Sequence, residues 1–196
     1  RSPSVPASAT ACTSASGTRR PYGRGQSGAA AIARPCTTLA RGGIAGVALD
    51  RTVAELAGTE VINGLGPADP HGTMVGSTAA APYDGTGVVG VAPGARLMSW
   101  GTTLTCSDVS TGITQLVRRG ARVINLSLGF DQECSVLEAA VQFAYASGTT
   151  VVSASGNDAN KGNPLSFPAS YEHVITAAAL TQSLTVAAFS NYDDYV

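Results

Sequence analysis

His71-Gly72-Thr73-Met74-Val75-Gly76-Ser77 places one of only two histidines at the mouth of a small-residue, apolar helix pattern. Upstream, Ile44-Ala45-Gly46-Val47-Ala48-Leu49 is a short apolar run that ends in Asp50. A buried parallel strand reads this way, apolar on both faces with no alternation. Downstream, Ser153-Ala154-Ser155-Gly156-Asn157-Asp158 follows a second strand-like run, Thr149 to Ala154.

The chain between these segments alternates in period. Arg96 to Trp100 is a short strand pattern. Val109, Ile113, Leu116 and Val117 recur on one helical face, and Gly120 stands where a C′ glycine ends a helix. Val123 to Gly129 is the next strand. Ser135 to Ser147 is a helix with Leu137, Ala140, Val141 and Ala144 on one face, closed by Gly148. His173 to Ala179 is a further strand. Strands alternating with helices imply βαβ units, and so a mostly parallel sheet between two helical layers, a three-layer αβα domain of the α/β class.

Composition sets limits. At 196 residues one domain with a real core is expected. Charged residues make up 13% of the chain, about half the usual share, and the net charge is −1, which argues against a nucleic-acid partner. Charge is uneven: residues 1–49 hold six arginines and no Asp or Glu, while all 13 acidic residues fall in 50–196. Residues 1–42, rich in Ser, Ala, Thr, Pro, Gly and Arg, read as a low-complexity basic extension, with 43–196 as the folded domain. No run of 18 apolar residues is present, so no membrane span is expected. Cys12, Cys36, Cys106 and Cys134 show no C-x-x-C spacing, so no metal site is expected. They form either an N-terminal pair and a core pair of disulfides in an oxidising compartment or four thiols. If Cys106 and Cys134 each open a helix at the same edge of the sheet, they fall within bridging distance.

Serine-peptidase chemistry needs a histidine to take the serine proton, a carboxylate to fix the histidine tautomer, and donors for the oxyanion. Asp50 ends a strand, His71 starts a helix and Asn157 follows a strand at a Gly-Asn turn. The carboxyl ends of parallel strands share one edge, so the three are expected at one cleft.

From about Ile44 onward these blocks resemble the subtilisin-like serine peptidases, the subtilases. The resemblance implies a subtilisin-like fold and an Asp/His/Ser triad with Asp50 and His71 as its first two members. It implies an oxyanion donor at Asn157 and substrate-backbone pairing along Ser127-Leu128-Gly129. Ser153, Ala154, Ser155 and Gly156 then line the pocket for the residue before the scissile bond. Val91-Ala92-Pro93-Gly94-Ala95 resembles the family segment after the histidine helix, and Phe189-Ser190-Asn191-Tyr192 the segment before the serine block. The family usually has Asp-Thr-Gly or Asp-Ser-Gly where this chain has Asp50-Arg51-Thr52, and the Asp-to-His spacing is shorter here. A Gly-Thr-Ser-Met-Ala-x-Pro type block does not occur in the 196 residues. The expectation is a C-terminally truncated catalytic domain that does not turn over by itself. The resemblance further implies a peptide or protein substrate, a monomer, and a secreted, bacterial setting. No cofactor is expected; family members often bind calcium, but no dense acidic cluster is seen. A non-catalytic peptide-binding module and a nonfunctional fragment are the competing readings.

Two other motifs carry little. Gly85-Thr86-Gly87-Val88-Val89-Gly90 matches G-x-G-x-x-G but follows no strand, so a dinucleotide site is not expected. Asn125-Leu126-Ser127 matches a glycosylation acceptor but falls within an apolar strand, where burial is expected.

Overall fold

The computed structural model describes residues 41–64 and 68–192. Residues 1–40 of the basic extension, with Cys12 and Cys36, lie outside the described residues, while Arg41 and Gly42 belong to the first strand. Six strands form one parallel sheet: β1 (Arg41–Gly46), β2 (Glu60–Gly64), β3 (Arg96–Gly101), β4 (Val123–Leu126), β5 (Thr150–Ala154) and β6 (Val174–Ala177), in the order β2-β3-β1-β4-β5-β6. Three helices connect them: α1 (Pro70–Ala80), α2 (Cys106–Arg118) and α3 (Ser135–Ala146).

The main core lies between the sheet and the α2–α3 pair. Ile113, Leu116, Ile124, Leu126, Leu137, Val141 and Val151 are all essentially inaccessible there. Each such side chain contributes roughly 1.5–3 kcal/mol on burial. β1 runs beneath α2 as Arg-Gly-Gly-Ile-Ala-Gly because the helix sits close: a β carbon at Gly43 would lie 3.0 Å from Leu116 Cδ1. A smaller cluster of Ile44, Leu49, Leu56 and Leu97 packs on the α1 side.

Helix ends follow local chemistry. The Thr105 hydroxyl accepts from the Asp108 amide at the start of α2. Beyond the ends of α2 and α3, Gly120 (φ +82°) and Gly148 (φ +74°) take the left-handed turn that favours glycine. Cys134 precedes α3 without a side-chain cap. Instead the Tyr171 hydroxyl accepts from the Cys134 amide at 2.8 Å and donates to the Cys134 carbonyl at 3.1 Å.

Four expectations need correction. β1 ends at Gly46, not at Asp50, because Thr102 N–H takes the Gly46 carbonyl at 2.7 Å and the chain then turns under α1. β2 was not expected; it is a short edge strand whose register slips between Val61 and Asn63. The sheet is covered unevenly: the α1 side leaves Val123 at 43% and Ile175 at 57% exposure. On that face Asn125 is half-buried rather than buried, and its amide donates to Ser127 Oγ.

Candidate active site

All six strands run the same way, so their carboxyl ends make one edge. α1 begins at that edge. Asp69 caps it, its carboxylate accepting from the His71 amide at 2.7 Å, and Pro70 fills the first turn where no N–H is needed. The helix is pinned to the chain leaving β1. Asp69 N–H donates to the Ala48 carbonyl, and Asp50 N–H donates to Thr73 Oγ1 at 3.0 Å. Gly72 lies directly under the Val47 and Ala48 carbonyls.

His71 is exposed, and its Nε2 sits 3.2 Å from the Ser127 carbonyl oxygen. The ring thereby joins the start of α1 to the residue just beyond β4. His71, Ser127, Leu128 and Gly129 line one groove of about 340 Å³, with Val47, Leu104 and Phe130 as apolar walls. Leu104 adopts a left-handed backbone (φ +56°), and its amide donates to Thr102 Oγ1. Phe130 is set by a two-way backbone pairing with Phe167. A disulfide joins Cys106 to Cys134, with α carbons 6.6 Å apart. It ties the wall bearing Leu104 to the wall bearing Phe130.

The Asp50 backbone reaches α1, but its carboxylate is committed elsewhere. It accepts from the Thr52 hydroxyl at 2.7 Å and the Thr52 amide at 2.8 Å. Those two bonds hold its pKa below the ordinary carboxylate value. Among the described residues, no hydrogen bond joins Asp50 to the His71 ring.

Asn157 is exposed and lies just past β5, one strand spacing of about 4.8 Å beyond β4 along the same edge. Ser153 and Ser155 are buried, Ala154 is exposed and Gly156 takes φ +111°. The sequence reading gave no role to Asn191, which braces this turn. Asn191 is 1% exposed; its side chain accepts from Asp158 N–H at 2.7 Å and donates to the Pro164 carbonyl at 2.8 Å. Its amide donates to the Gly156 carbonyl. Ser190 Oγ lies 3.2 Å from Ser155 Oγ and accepts from the Ala179 amide. Only the order Phe-Ser-Asn-Tyr hinted at this brace, since nothing in periodicity marks a buried asparagine.

A parallel sheet with a histidine helix at its carboxyl edge, beside a groove lined by the end of the central strand β4, defines a subtilisin-like α/β peptidase domain. The profile of the subtilase family matches residues 62–196, and the chain belongs to that family. It is 41% identical over 133 residues to a thermophilic serine proteinase of Bacillus sp. (strain AK1), covering 64% of this chain and 32% of that protein. It is 39% identical over 128 residues to subtilisin DY of Bacillus licheniformis, covering 62% of this chain and 47% of the other. The prenylagaramide maturation protease PagA superposes with a TM-score of 0.71 at 26% identity, over 80% of this chain and 59% of that one. The matched part of the chain thus spans about a third and about a half, respectively, of the length of these two curated relatives.

Proposed function

We propose that the chain is part of a secreted serine endopeptidase domain that takes protein or peptide substrates in extended form. In this reading Ser127-Leu128-Gly129 pairs with substrate backbone and Ser153 to Gly156 line the pocket before the scissile bond. His71 is the general base and Asn157 an oxyanion donor. No Gly-Thr-Ser segment occurs in the 196 residues, and in this reading these residues alone do not turn over. This chemistry calls for no cofactor. The observation that carries the reading is the His71–Ser127 contact of 3.2 Å in a groove shared with Leu128 and Gly129. Those residues lie beyond the last paired position of β4, Leu126, where an added strand would dock. A relative named minor extracellular protease, from Bacillus subtilis, supports the secreted setting.

A second reading, a peptide-binding module without catalysis, is favoured by the Asp50 carboxylate being held by Thr52.

The test is a blocked hexapeptide titrated into the ¹⁵N-labelled chain. Amide shifts should concentrate at 127–129, and N-methylation of the pairing amide should weaken binding at least about tenfold, since one charge-free backbone bond plus its desolvation is worth roughly 1.4 kcal/mol. Equal binding of the methylated peptide removes strand pairing. Casein hydrolysis by residues 1–196 that is blocked by a serine-directed inhibitor overturns the reading that these residues alone do not turn over.

A further inference from the structure

Three structural facts bear on what stands behind the His71 imidazole. First, the chain leaving β1 turns beneath the first turn of α1, so Gly46 and Val47 line the cleft with His71, Gly72, Val75 and Ser127. A β carbon at Gly46 would meet no heavy atom within 4 Å. This cleft-lining position therefore has room for a side chain and carries none.

Second, the acidic residues next to this cleft in sequence both accept local bonds through Oδ1. Asp50 holds the amide and hydroxyl of Thr52. Asp69 caps α1 through the His71 amide. Neither carboxylate lines the cleft.

Third, the ring's own bond sets its tautomer. Nε2 lies 3.2 Å from the Ser127 carbonyl, and a carbonyl can only accept. For that contact to be a hydrogen bond Nε2 must carry the proton, and in the neutral ring Nδ1 is then a bare acceptor. A carboxylate at Nδ1 also only accepts, so it requires the opposite neutral tautomer, with the proton on Nδ1.

We propose that no carboxylate among the described residues orients His71: the sheet-edge position that shares its cleft is Gly46, Asp50 is a turn cap, and the Ser127 carbonyl holds the ring as the Nε2–H tautomer. Held this way, the ring must release the Ser127 carbonyl before Nε2 can take a proton from a hydroxyl, and it then works without an orienting carboxylate among the described residues. The inference rests on the peptide-groove reading above, but its test uses no peptide, so the two fail separately.

The experiment is side-chain NMR of the ¹⁵N-His-labelled 196-residue chain, with His173→Gln used to assign the His71 signals. At a pH where the ring is neutral, the unsubstituted chain should carry the His71 proton on Nε2. Asp50→Asn and Asp69→Asn, the second retaining a good helix cap, should leave that pattern unchanged. Gly46→Asp should move the proton to Nδ1 and slow its exchange with water, whereas Gly46→Asn, of the same size without charge, should not. An exchange-protected Nδ1 proton in the unsubstituted chain that disappears in Asp50→Asn overturns the proposal. A folded Gly46→Asp whose His71 ring is unchanged overturns it as well. Should Gly46→Asp fail to fold, Asp50→Asn decides alone: an altered ring tautomer refutes the inference and an unaltered one supports it.

Discussion

The α carbon of Gly72 faces the carbonyl oxygen of Val47 so closely that a β carbon would sit 2.5 Å from it and 2.8 Å from the Ala48 carbonyl. Both neighbours are backbone, so neither can move aside cheaply. Gly72→Ala should cost at least about 1–3 kcal/mol by overpacking and push α1 away from β1. Gly46→Ala, where nothing lies within 4 Å, should stay within about 0.5 kcal/mol. Urea denaturation of the two variants side by side checks the contrast; equal losses would show that Gly72 is not a packing requirement.

The Cys106–Cys134 disulfide closes a loop of 28 residues. Loop-closure entropy puts its contribution at about 3–4 kcal/mol. The double substitution Cys106→Ala/Cys134→Ala should lower the denaturation midpoint accordingly. A change under about 1 kcal/mol would mean that the reduced, unfolded chain is already restrained there.

Much of this fold is legible in residue order, for identifiable reasons. α2 and α3 show because Ile113, Leu116, Leu137 and Val141 recur at helical spacing, and left-handed glycines mark both ends. β2 is hidden because Glu60-Val-Ile-Asn-Gly is a short edge strand, with a charged start and a slipped register. At the site, His71 and Ser127 are legible as helix start and strand end, and they meet. Asp50 does not end the strand as residue order suggests, because the apolar run continues through Leu49 although the strand stops at Gly46. Leu49 is apolar because it packs in the smaller core beside Gly76 of α1, and Val47 because it walls the groove, not because they extend the sheet.

Acid should be read out by Trp100, the only tryptophan in the chain. Asp108 accepts from Trp100 Nε1, Thr103 N–H and Thr103 Oγ1. Partial burial raises its pKa, but these bonds more than offset this, and the net shift is downward. A carboxyl whose folded pKa is depressed adds stability above its unfolded value, near 3.9, and loses it as pH falls through the folded value. Trp100 fluorescence should therefore change below about pH 4, and Asp108→Asn should flatten that change. An identical acid response in the variant would assign the transition to other carboxyls.

The Tyr171 hydroxyl satisfies both backbone groups of Cys134. Tyr171→Phe leaves a part-buried amide without its acceptor and should cost about 1–3 kcal/mol. Faster hydrogen exchange at the Cys134 amide, with α3 otherwise protected, is the specific signature to look for.

In a longer form of the protein that includes a serine block, Asn157→Ala should lower kcat by about a hundred- to a thousandfold. That is the cost of removing one oxyanion donor in subtilisin. Unchanged turnover would show that another group donates the bond.

The strand order β2-β3-β1-β4 has a consequence during synthesis. β1 emerges first of all the strands yet belongs in the middle of the sheet, between β3 and β4. Its second neighbour is complete only once Leu126 has been made. At roughly 5–20 residues per second, β1 waits on the order of 4–16 seconds with one or both edges open. Its glycines lower the chance of a wrong partner during that wait, since Gly-Gly-Ile-Ala-Gly offers little side-chain surface for another chain to grip.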